Sequence, residues 1–369
     1  MSIAYPQFHS SQCVHYRYRY SECSRCADAC PHEAIELSDE GATLDAARCQ
    51  NCALCISACR TGAWDSASFR PIELLRQAIK QETFSFACAP SGLSADAVVP
   101  CLGAIDAATL AYLAKRRIPV SLHGTGHCTE CAHAPRGAAQ LALNLEGCAA
   151  LEVAAEPTKD HPWIRAAVAS VPLPTRVCKD TGFAAGRRQL FRRLIGRGVD
   201  ELAQSAAPVA APPPVADKAI RAGAYALTEQ RELLQIVCKR NDERTFEVPL
   251  HEALPLMGLA LRAGCTVCEA CFRACPTGAI QIEESPADWH LKFQADRCVA
   301  CEVCLEVCQP RALDAEPEFD ARPEQPARVL LALSKQRCRR CDRHFVSPSP
   351  EETCPICRDD EDAFAAIFG

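Results

Sequence analysis

The chain has 369 residues, a formal net charge of −6 and 27 cysteines. The acidic balance argues against a general nucleic-acid-binding protein, and no apolar stretch is long enough to predict a membrane span. Because residues 1–6 lack the basic and apolar character of a secretion signal, we expect a cytoplasmic protein. In that compartment, closely spaced cysteines are expected to ligate metal and not to form disulfides.

The first cysteine block spans residues 13–59 and predicts two iron–sulfur sites. Its second run, from Cys49 to Cys59, has the C-x2-C-x2-C-x3-C spacing of paired [4Fe-4S] sites, in which the fourth cysteine ligates the other cluster. Its first run lacks the first cysteine of this pattern, since Tyr20 stands there. One predicted site is complete, with Cys30, Cys49, Cys52 and Cys55. The other has cysteines at three of its four expected positions: Cys23, Cys26 and Cys59.

Cys13 is the candidate for the missing ligand of the incomplete site. It lies seven residues before Tyr20. The intervening residues, 14–20, are predicted to form a strand with tyrosines on one face and arginines on the other. A three-iron cluster, ligation by His15 and an external ligand are the alternatives.

The second block, at 88–131, predicts a small α/β domain. Segments 84–88, 97–101 and 118–122 have the apolar character of short buried strands, and 107–115 and 138–145 that of helices. This alternation favours a parallel sheet, and groups that follow parallel strands converge at its carboxyl edge. Four cysteines hold such positions and are predicted to form one site: Cys88, Cys101, Cys128 and Cys131.

Two motifs in this block resemble motifs of a known iron–sulfur protein family. VPCLGAID at 99–106 and GHCTEC at 126–131 are similar to motifs in the small iron–sulfur subunit of methyl-viologen-reducing hydrogenases. The resemblance implies a [2Fe-2S] cluster at the four cysteines. A zinc site and unliganded or redox-active thiols are the alternatives.

The region between the second and third blocks contains few cysteines. A basic amphipathic helix is predicted within 181–199, and 200–218, rich in Ala and Pro, is predicted to be an extended linker. A second helix is predicted at 227–239, with Leu233, Leu234 and Val237 on one face. Three cysteines outside the blocks are predicted to be small core residues: Cys148, Cys178 and Cys238.

The third block, at 265–308, contains two complete C-x2-C-x2-C-x3-C runs. Here too the fourth cysteine of each run is assigned to the other site, a pattern called crossing below. One predicted site takes Cys265, Cys268, Cys271 and Cys308, and the other takes Cys275, Cys298, Cys301 and Cys304. Over residues 260–315 the pattern resembles the bacterial two-cluster ferredoxin family, which implies two [4Fe-4S] clusters. The first block aligns with it at offsets of 245 and 249 residues. We therefore interpret the two as an internal duplication with four residues inserted in the later copy.

The fourth block consists of two CxxC pairs separated by 12 residues. Four thiols at this spacing suit one tetrahedral zinc ion on a short β ribbon, held by Cys338, Cys341, Cys354 and Cys357. The pairs are also similar to rubredoxin knuckles, although Asp342 and Arg358 stand where those usually have glycine. The basic run at 335–343 is interpreted as a docking surface for an acidic partner or as a solvated face.

Together the blocks predict an α+β multidomain protein in which two ferredoxin-like [4Fe-4S] lobes flank a small α/β domain, with a C-terminal zinc ribbon. The predicted domains are 1–75, 80–180, 219–320 and 328–369.

The predicted function follows from the cofactors. Since clusters with four thiolate ligands have no open coordination position, we expect electron transfer and no substrate binding. The expected partner is a larger redox enzyme, such as a formate dehydrogenase, a hydrogenase or a related complex, and the chain itself is more an electron-transfer subunit than an enzyme. The alternatives are a catalytic reductase subunit that uses the middle or incomplete site, and a maturation or regulatory factor.

Overall fold

The structure is a computed structural model that describes residues 5–155, 168–171 and 226–359. The predicted helix at 181–199, the predicted linker at 200–218 and Cys178 lie outside the described residues. In the described ranges, short helices alternate with small sheets, so the fold is of the α+β type.

The first lobe is built from two small antiparallel sheets and three short helices. β1 (Gln7–Phe8) pairs with β4 (Trp64–Asp65), and β2 (Ile35–Ser38) pairs with β3 (Gly41–Leu44). The helices are α1 (Val14–Arg17), α2 (Arg25–Ala29) and α3 (Leu54–Ala58). Trp64 is buried against Phe8, with ring centroids 4.9 Å apart, and so closes the lobe where the chain leaves it.

The strand predicted at 14–20 is wrong, because this segment begins as the helical turn α1. Val14 and His15 are both buried, and two consecutive residues cannot face the same side of a strand. A helical turn places both against the lobe, and the backbone N–H of Tyr18 donates to the Val14 carbonyl at 2.9 Å. Tyr20 is 66% exposed, so the tyrosine alternation does not mark a buried face.

The middle domain contains the predicted parallel sheet. Its strands are β5 (Phe84–Cys88), β6 (Ala97–Val99), β7 (Val120–His123) and β8 (Val168–Val171), in the order β6-β5-β7-β8. The predicted strands are thereby confirmed. The helices are α4 (Pro71–Ala78), α5 (Ala107–Lys115) and α6 (Arg136–Ala155), the last of which is much longer than the predicted 138–145.

Helix α5 begins at a buried aspartate. The Asp106 carboxylate accepts from the backbone N–H of Thr109 at 2.8 Å, which satisfies a free donor of the first helical turn. Small side chains let α5 lie deep in the core, where Leu110 and Leu113 are fully buried.

Segments that follow residue 180, the predicted end of the middle domain, complete the core of that domain. Helix α7 (Glu229–Cys238) packs against α5, and its apolar face of Leu233, Leu234 and Val237 is buried as predicted. Lys115 caps the end of α7 by donating to the carbonyls of Ile236, Val237 and Lys239 at 2.7 to 2.8 Å. The strand pair β9 (Glu247–Pro249) and β14 (Glu318–Asp320) joins the same core.

The second lobe repeats the first. β10 (Gly258–Leu261) pairs with β13 (Leu313–Glu316), and β11 (Ile280–Glu284) pairs with β12 (Asp288–Phe293). Its helices are α8 (Ala270–Ala274) and α9 (Val303–Glu306). The inserted residues lie in the β11–β12 hairpin, since Ile35 opposite Leu44 in the first lobe corresponds to Ile280 opposite Phe293 in the second.

The C-terminal ribbon shares a sheet with the second lobe. β15 (Arg328–Arg337) pairs with β12 on one side and with β16 (His344–Ser347) on the other. Leu333 of β15 is buried in the lobe's core beside Trp289 and Leu291. The boundary predicted at 328 therefore falls within one continuous sheet.

Candidate metal centres

Three cysteine loops share one backbone conformation. In each C-x2-C-x2-C loop, the residues just before and just after the second cysteine have positive φ: Asn51 and Ala53, Val267 and Glu269, Ala300 and Glu302, at 51° to 66°. None of these residues is glycine, and left-handed backbone is unfavourable for them, most of all for Val267. Such conformations persist where the surroundings impose them, so the three loops hold their cysteines in the same backbone arrangement.

The chain also leaves all four runs in the same way. The third residue after the last cysteine of each run has positive φ: Glu33, Gly62, Gly278 and Arg311, at 49° to 69°. In three of the four, the next backbone N–H donates to the sulfur of that cysteine, from Ala34, Ala63 and Ala312 at 3.2 to 3.4 Å. The incomplete first run shares this exit but not the left-handed loop, because neither residue beside Cys23 is left-handed.

Site A consists of Cys13, Cys23, Cys26 and Cys59, the incomplete site of the sequence. Burial raises the pKa of Cys13 to about 11, and the charges of Cys59 and Cys23 add to this effect. Burial likewise raises the pKa of Cys26 to about 12, with contributions from the other three thiols of the site. Cys13 therefore lies near the other three thiols, and His15, two residues later, contacts the Cys23 carbonyl oxygen.

His15, the alternative ligand, makes a different contact. Its Nε2 lies 2.9 Å from the carbonyl oxygen of Cys23, and the ring is buried. Tyr20, at the position of the missing cysteine, is exposed to solvent. Of the three side chains, Cys13 offers a thiol near Cys23 and Cys59, so it stays the candidate ligand.

Site B consists of Cys30, Cys49, Cys52 and Cys55, as the crossing pattern predicts. Burial raises the pKa of Cys52 to about 11, and the charges of Cys30 and Cys49 raise it further. The backbone N–H of Asn51 donates to the Cys49 sulfur at 3.4 Å. Grouped thiols in a largely buried site resist ionisation unless a cation compensates their charge, so the donor set fits an iron–sulfur cluster.

Sites C and D lie in the second lobe and show the same crossing. At site C (Cys275, Cys298, Cys301 and Cys304), burial raises the pKa of Cys298 to about 11 and the charge of Cys275 contributes. At site D (Cys265, Cys268, Cys271 and Cys308), all four thiols line one pocket with Val267, Trp289 and Leu313. Cys268 is exposed, so site D opens to solvent.

The middle site consists of Cys88, Cys101, Cys128 and Cys131, and all four thiols line one pocket. Cys88 ends β5, and the other three follow β6 and β7, so the carboxyl edge of the sheet brings them together. Glycines leave room beside the sulfurs: a Cβ at Gly137 would lie 3.0 Å from the Cys101 sulfur, and one at Gly124 would lie 3.1 Å from that of Cys88. The space and the donor set fit a small cluster.

Histidines also surround the middle pocket. His127 and His133 line it, and the ring of His133 lies edge-on to that of His32, with centroids 5.3 Å apart. Burial, together with the charge of His32, lowers the pKa of His133 to about 4. His133 is therefore neutral at physiological pH.

The ribbon site consists of Cys338, Cys341, Cys354 and Cys357, whose sulfurs all lie within 4.8 Å of one another. Hydrogen bonds from the backbone N–H groups of Cys354 and Cys341 lower the pKa of Cys338 to about 6, which favours a thiolate. Asp342 has φ of 64°, so it adopts the left-handed conformation for which rubredoxin knuckles use glycine. Among the described residues, this is the one group of thiols close enough to surround a single ion.

The basic run beside the ribbon site is neutralised locally. Arg339 pairs with Glu352, Arg337 with Asp342, and Lys335 with Glu284. These pairs support a solvated face more than the predicted docking surface for an acidic partner.

Two buried arginines at the sites were not predicted from the sequence. Arg60 follows Cys59, and its guanidinium donates to the Ala300 carbonyl at 2.5 Å and to Glu302 at 2.9 Å, which joins the two lobes. Arg231 is 1% exposed and donates to the carbonyls of Cys298 and Ala295 at 2.7 and 2.9 Å. A sequence feature that indicates burial of Arg231 is its position on the apolar face of α7, in line with Leu234.

Comparison with known protein families finds one match in each of the two lobes. The sequence profile of the 4Fe-4S dicluster domain matches residues 21–63 and 264–312. The chain contains two 4Fe-4S dicluster domains. The predicted duplication of a ferredoxin-type unit is thus confirmed, whereas Cys13, the middle domain and the ribbon lie outside the matched segments. No curated protein matches the chain.

Helices long and apolar enough to cross a membrane are absent from the described residues.

Proposed function

We propose that the chain is a multi-cluster iron–sulfur electron carrier that serves a larger redox enzyme in the cytoplasm. In this proposal, sites A to D each hold a [4Fe-4S] cluster, the middle site holds a [2Fe-2S] cluster and the ribbon site holds zinc. The observation that carries the proposal is the left-handed loop conformation shared by three cysteine runs, because this unfavourable backbone recurs at each loop with the complete cluster-binding spacing.

The residues of the chain support electron transfer over substrate chemistry. Each of the six sites offers four thiols, which is a complete ligand set and leaves no coordination position for a substrate. A cluster held in this way accepts and releases single electrons. Backbone N–H groups donate to the ligand sulfurs at 3.2 to 3.4 Å, and such bonds stabilise the more negative, reduced state of a site.

The spacing of the cysteines supports a reducing compartment. In that compartment, cysteines two and three residues apart are expected to ligate metal and not to form disulfides.

A reductive titration tests the proposed function. The anaerobically purified protein should take up about one electron per cluster, or roughly four to five per chain, and should release them on reoxidation. A Cys304→Ala variant should take up about one electron fewer, since it opens site C. The matched control Cys148→Ala removes a fully buried cysteine outside every site and should leave the uptake unchanged. A protein that binds iron but takes up no electrons at physiological potentials would instead favour the regulatory alternative.

A further inference from the structure

We infer that the five iron–sulfur sites form one unbranched line in the order D, C, A, B and middle site. An electron then passes between the two lobes only at the junction of sites C and A, and reaches the middle site only through site B. This inference rests on the proposed function and adds to it the order of the sites and the identity of the two junctions.

The junction of sites C and A is made by residues that belong to the cysteine loops themselves. Arg60 immediately follows Cys59 of site A, and it donates to the carbonyl of Ala300 and to the carboxylate of Glu302, which lie on either side of Cys301. Arg25, between Cys23 and Cys26, donates to the same carboxylate at 2.8 Å.

Further contacts hold this junction closed. Arg60 is 6% exposed and also donates to the carbonyl of Glu252 at 2.9 Å. The backbone N–H of Glu22 donates to Glu306 across the same interface at 3.3 Å. The thiols of Cys23 and Cys301 lie close enough for their charges to interact. The two loops are therefore in direct contact.

The junction also carries paired charges. The guanidinium groups of Arg25 and Arg60 share the carboxylate of Glu302, and the Glu306 carboxylate lies at the same interface. These ion pairs hold the cysteine loops of sites A and C together.

The second junction joins site B to the middle site. Cys52 and Cys101 belong to one buried apolar cluster with Leu54 and Ala29, and the charges of the two thiols interact. Arg136, at the start of α6, donates to the carbonyls of Ala27 and Cys30, so the helix beside the middle pocket is tied to the segment that ends in the site B ligand Cys30.

The remaining steps lie within the lobes. Cys26 and Cys59 of site A pack against the apolar cluster that contains Cys30 and Cys55 of site B. Cys271 and Cys308 of site D likewise pack against the cluster that contains Cys275, Cys298 and Cys304 of site C. In the described part of the chain, these contacts give site D and the middle site one neighbour each and the other three sites two neighbours each. That is the connectivity of a line.

Removal of single sites tests the order. In a Cys23→Ala/Cys26→Ala variant, which lacks site A, the electron paramagnetic resonance signal of reduced site C should lose its interaction with site A. Its reduced fraction at a fixed potential should change by about tenfold, because a nearby charge is gone. The signal of the middle site should stay unchanged. In a Cys52→Ala/Cys55→Ala variant, which lacks site B, the middle site and site A should change, and sites C and D should not.

The matched control is the double variant Cys148→Ala/Cys238→Ala, which removes two fully buried cysteines outside every site and should leave all signals intact. Loss of site A that changes the middle site and leaves site C unchanged would overturn the order. Wild-type protein without any reducible cluster would instead refute the proposed function, so the two failures are distinguishable.

A second pair of variants keeps every thiol in case ligand removal unfolds a lobe. Arg60→Met should weaken the interaction between sites A and C and leave that between site B and the middle site unchanged. The control Arg48→Met removes an arginine that also adjoins a ligand, Cys49, but pairs within its own lobe, with Asp45 at 2.8 Å and Glu36 at 3.1 Å. Equal effects of the two substitutions, or no effect of Arg60→Met, would place the crossing between the lobes elsewhere.

Discussion

Replacement of Arg231 by methionine is expected to lower the reduction potential of site C. The guanidinium is 1% exposed and donates to the carbonyl of Cys298, a ligand of that site, at 2.7 Å. Burial lowers the pKa of Arg231, but a guanidinium keeps its proton in a protein, so the group is a fixed positive charge. Its charge stabilises an electron added to site C.

The magnitude follows from Coulomb's law. At a separation of about 8 Å and an effective dielectric constant of about 20, one charge contributes about 2 kcal/mol. For a one-electron couple, where a tenfold change in equilibrium constant is 59 mV, this is on the order of 90 mV. The Arg231→Met potential should be lower by about this amount, and Arg231→Lys, which keeps the charge, should shift it by much less.

The assay is a potentiometric titration of site C followed by electron paramagnetic resonance. Arg297 provides the matched control, because it directly precedes Cys298 but its side chain is exposed, and solvent screens its charge. Arg297→Met should shift the potential by a small fraction of the Arg231→Met effect. Equal shifts for the two variants, or an unchanged potential in Arg231→Met, would refute the electrostatic reasoning.

Three further predictions concern the ligand sets. Cys13→Ala should convert site A to a three-iron form with its own oxidised-state resonance signal and leave the other sites intact. The control Tyr20→Phe, at an exposed position, should leave the iron count and spectrum unchanged. An unchanged iron count in Cys13→Ala would reject the ligand assignment. Serine substitutions of the four middle-site cysteines should each remove the same spectroscopic species and should be non-additive, while Cys148→Ser keeps that species; four different phenotypes would contradict a shared site. Cys354→Ser should release about one zinc ion per chain without loss of iron, and loss of iron in its place would indicate that the ribbon binds that metal.

The cysteine spacing predicts candidate sites because each loop is local. The pairing of fourth cysteines between sites follows from a fixed spacing, and the strand ends at Cys88 and Cys101 follow from short apolar runs. The segment after Cys13 was mispredicted because the alternation of tyrosine and arginine has the period of a strand, while burial of Val14 and His15 requires a helical turn.

The junctions between units were not predictable from local pattern. Arg60 and Glu302 are 242 residues apart, and nothing in the period or composition of either segment marks them as partners. The packing of α7 on the middle domain and the continuation of the second lobe's sheet into β15 also depend on contacts between distant segments. These long-range contacts set the order of the sites, which the motifs alone leave open.

Quantification of iron, acid-labile sulfide and zinc in the anaerobically purified chain, combined with Mössbauer spectroscopy, tests the central claim most directly. Four [4Fe-4S] clusters, a smaller middle cluster and one zinc ion predict roughly 15 to 18 iron atoms and about one zinc per chain, with sulfide close to iron. About eight iron atoms together with several zinc ions would contradict the account, because at least two of the four-thiol sites in the lobes would then hold single metal ions.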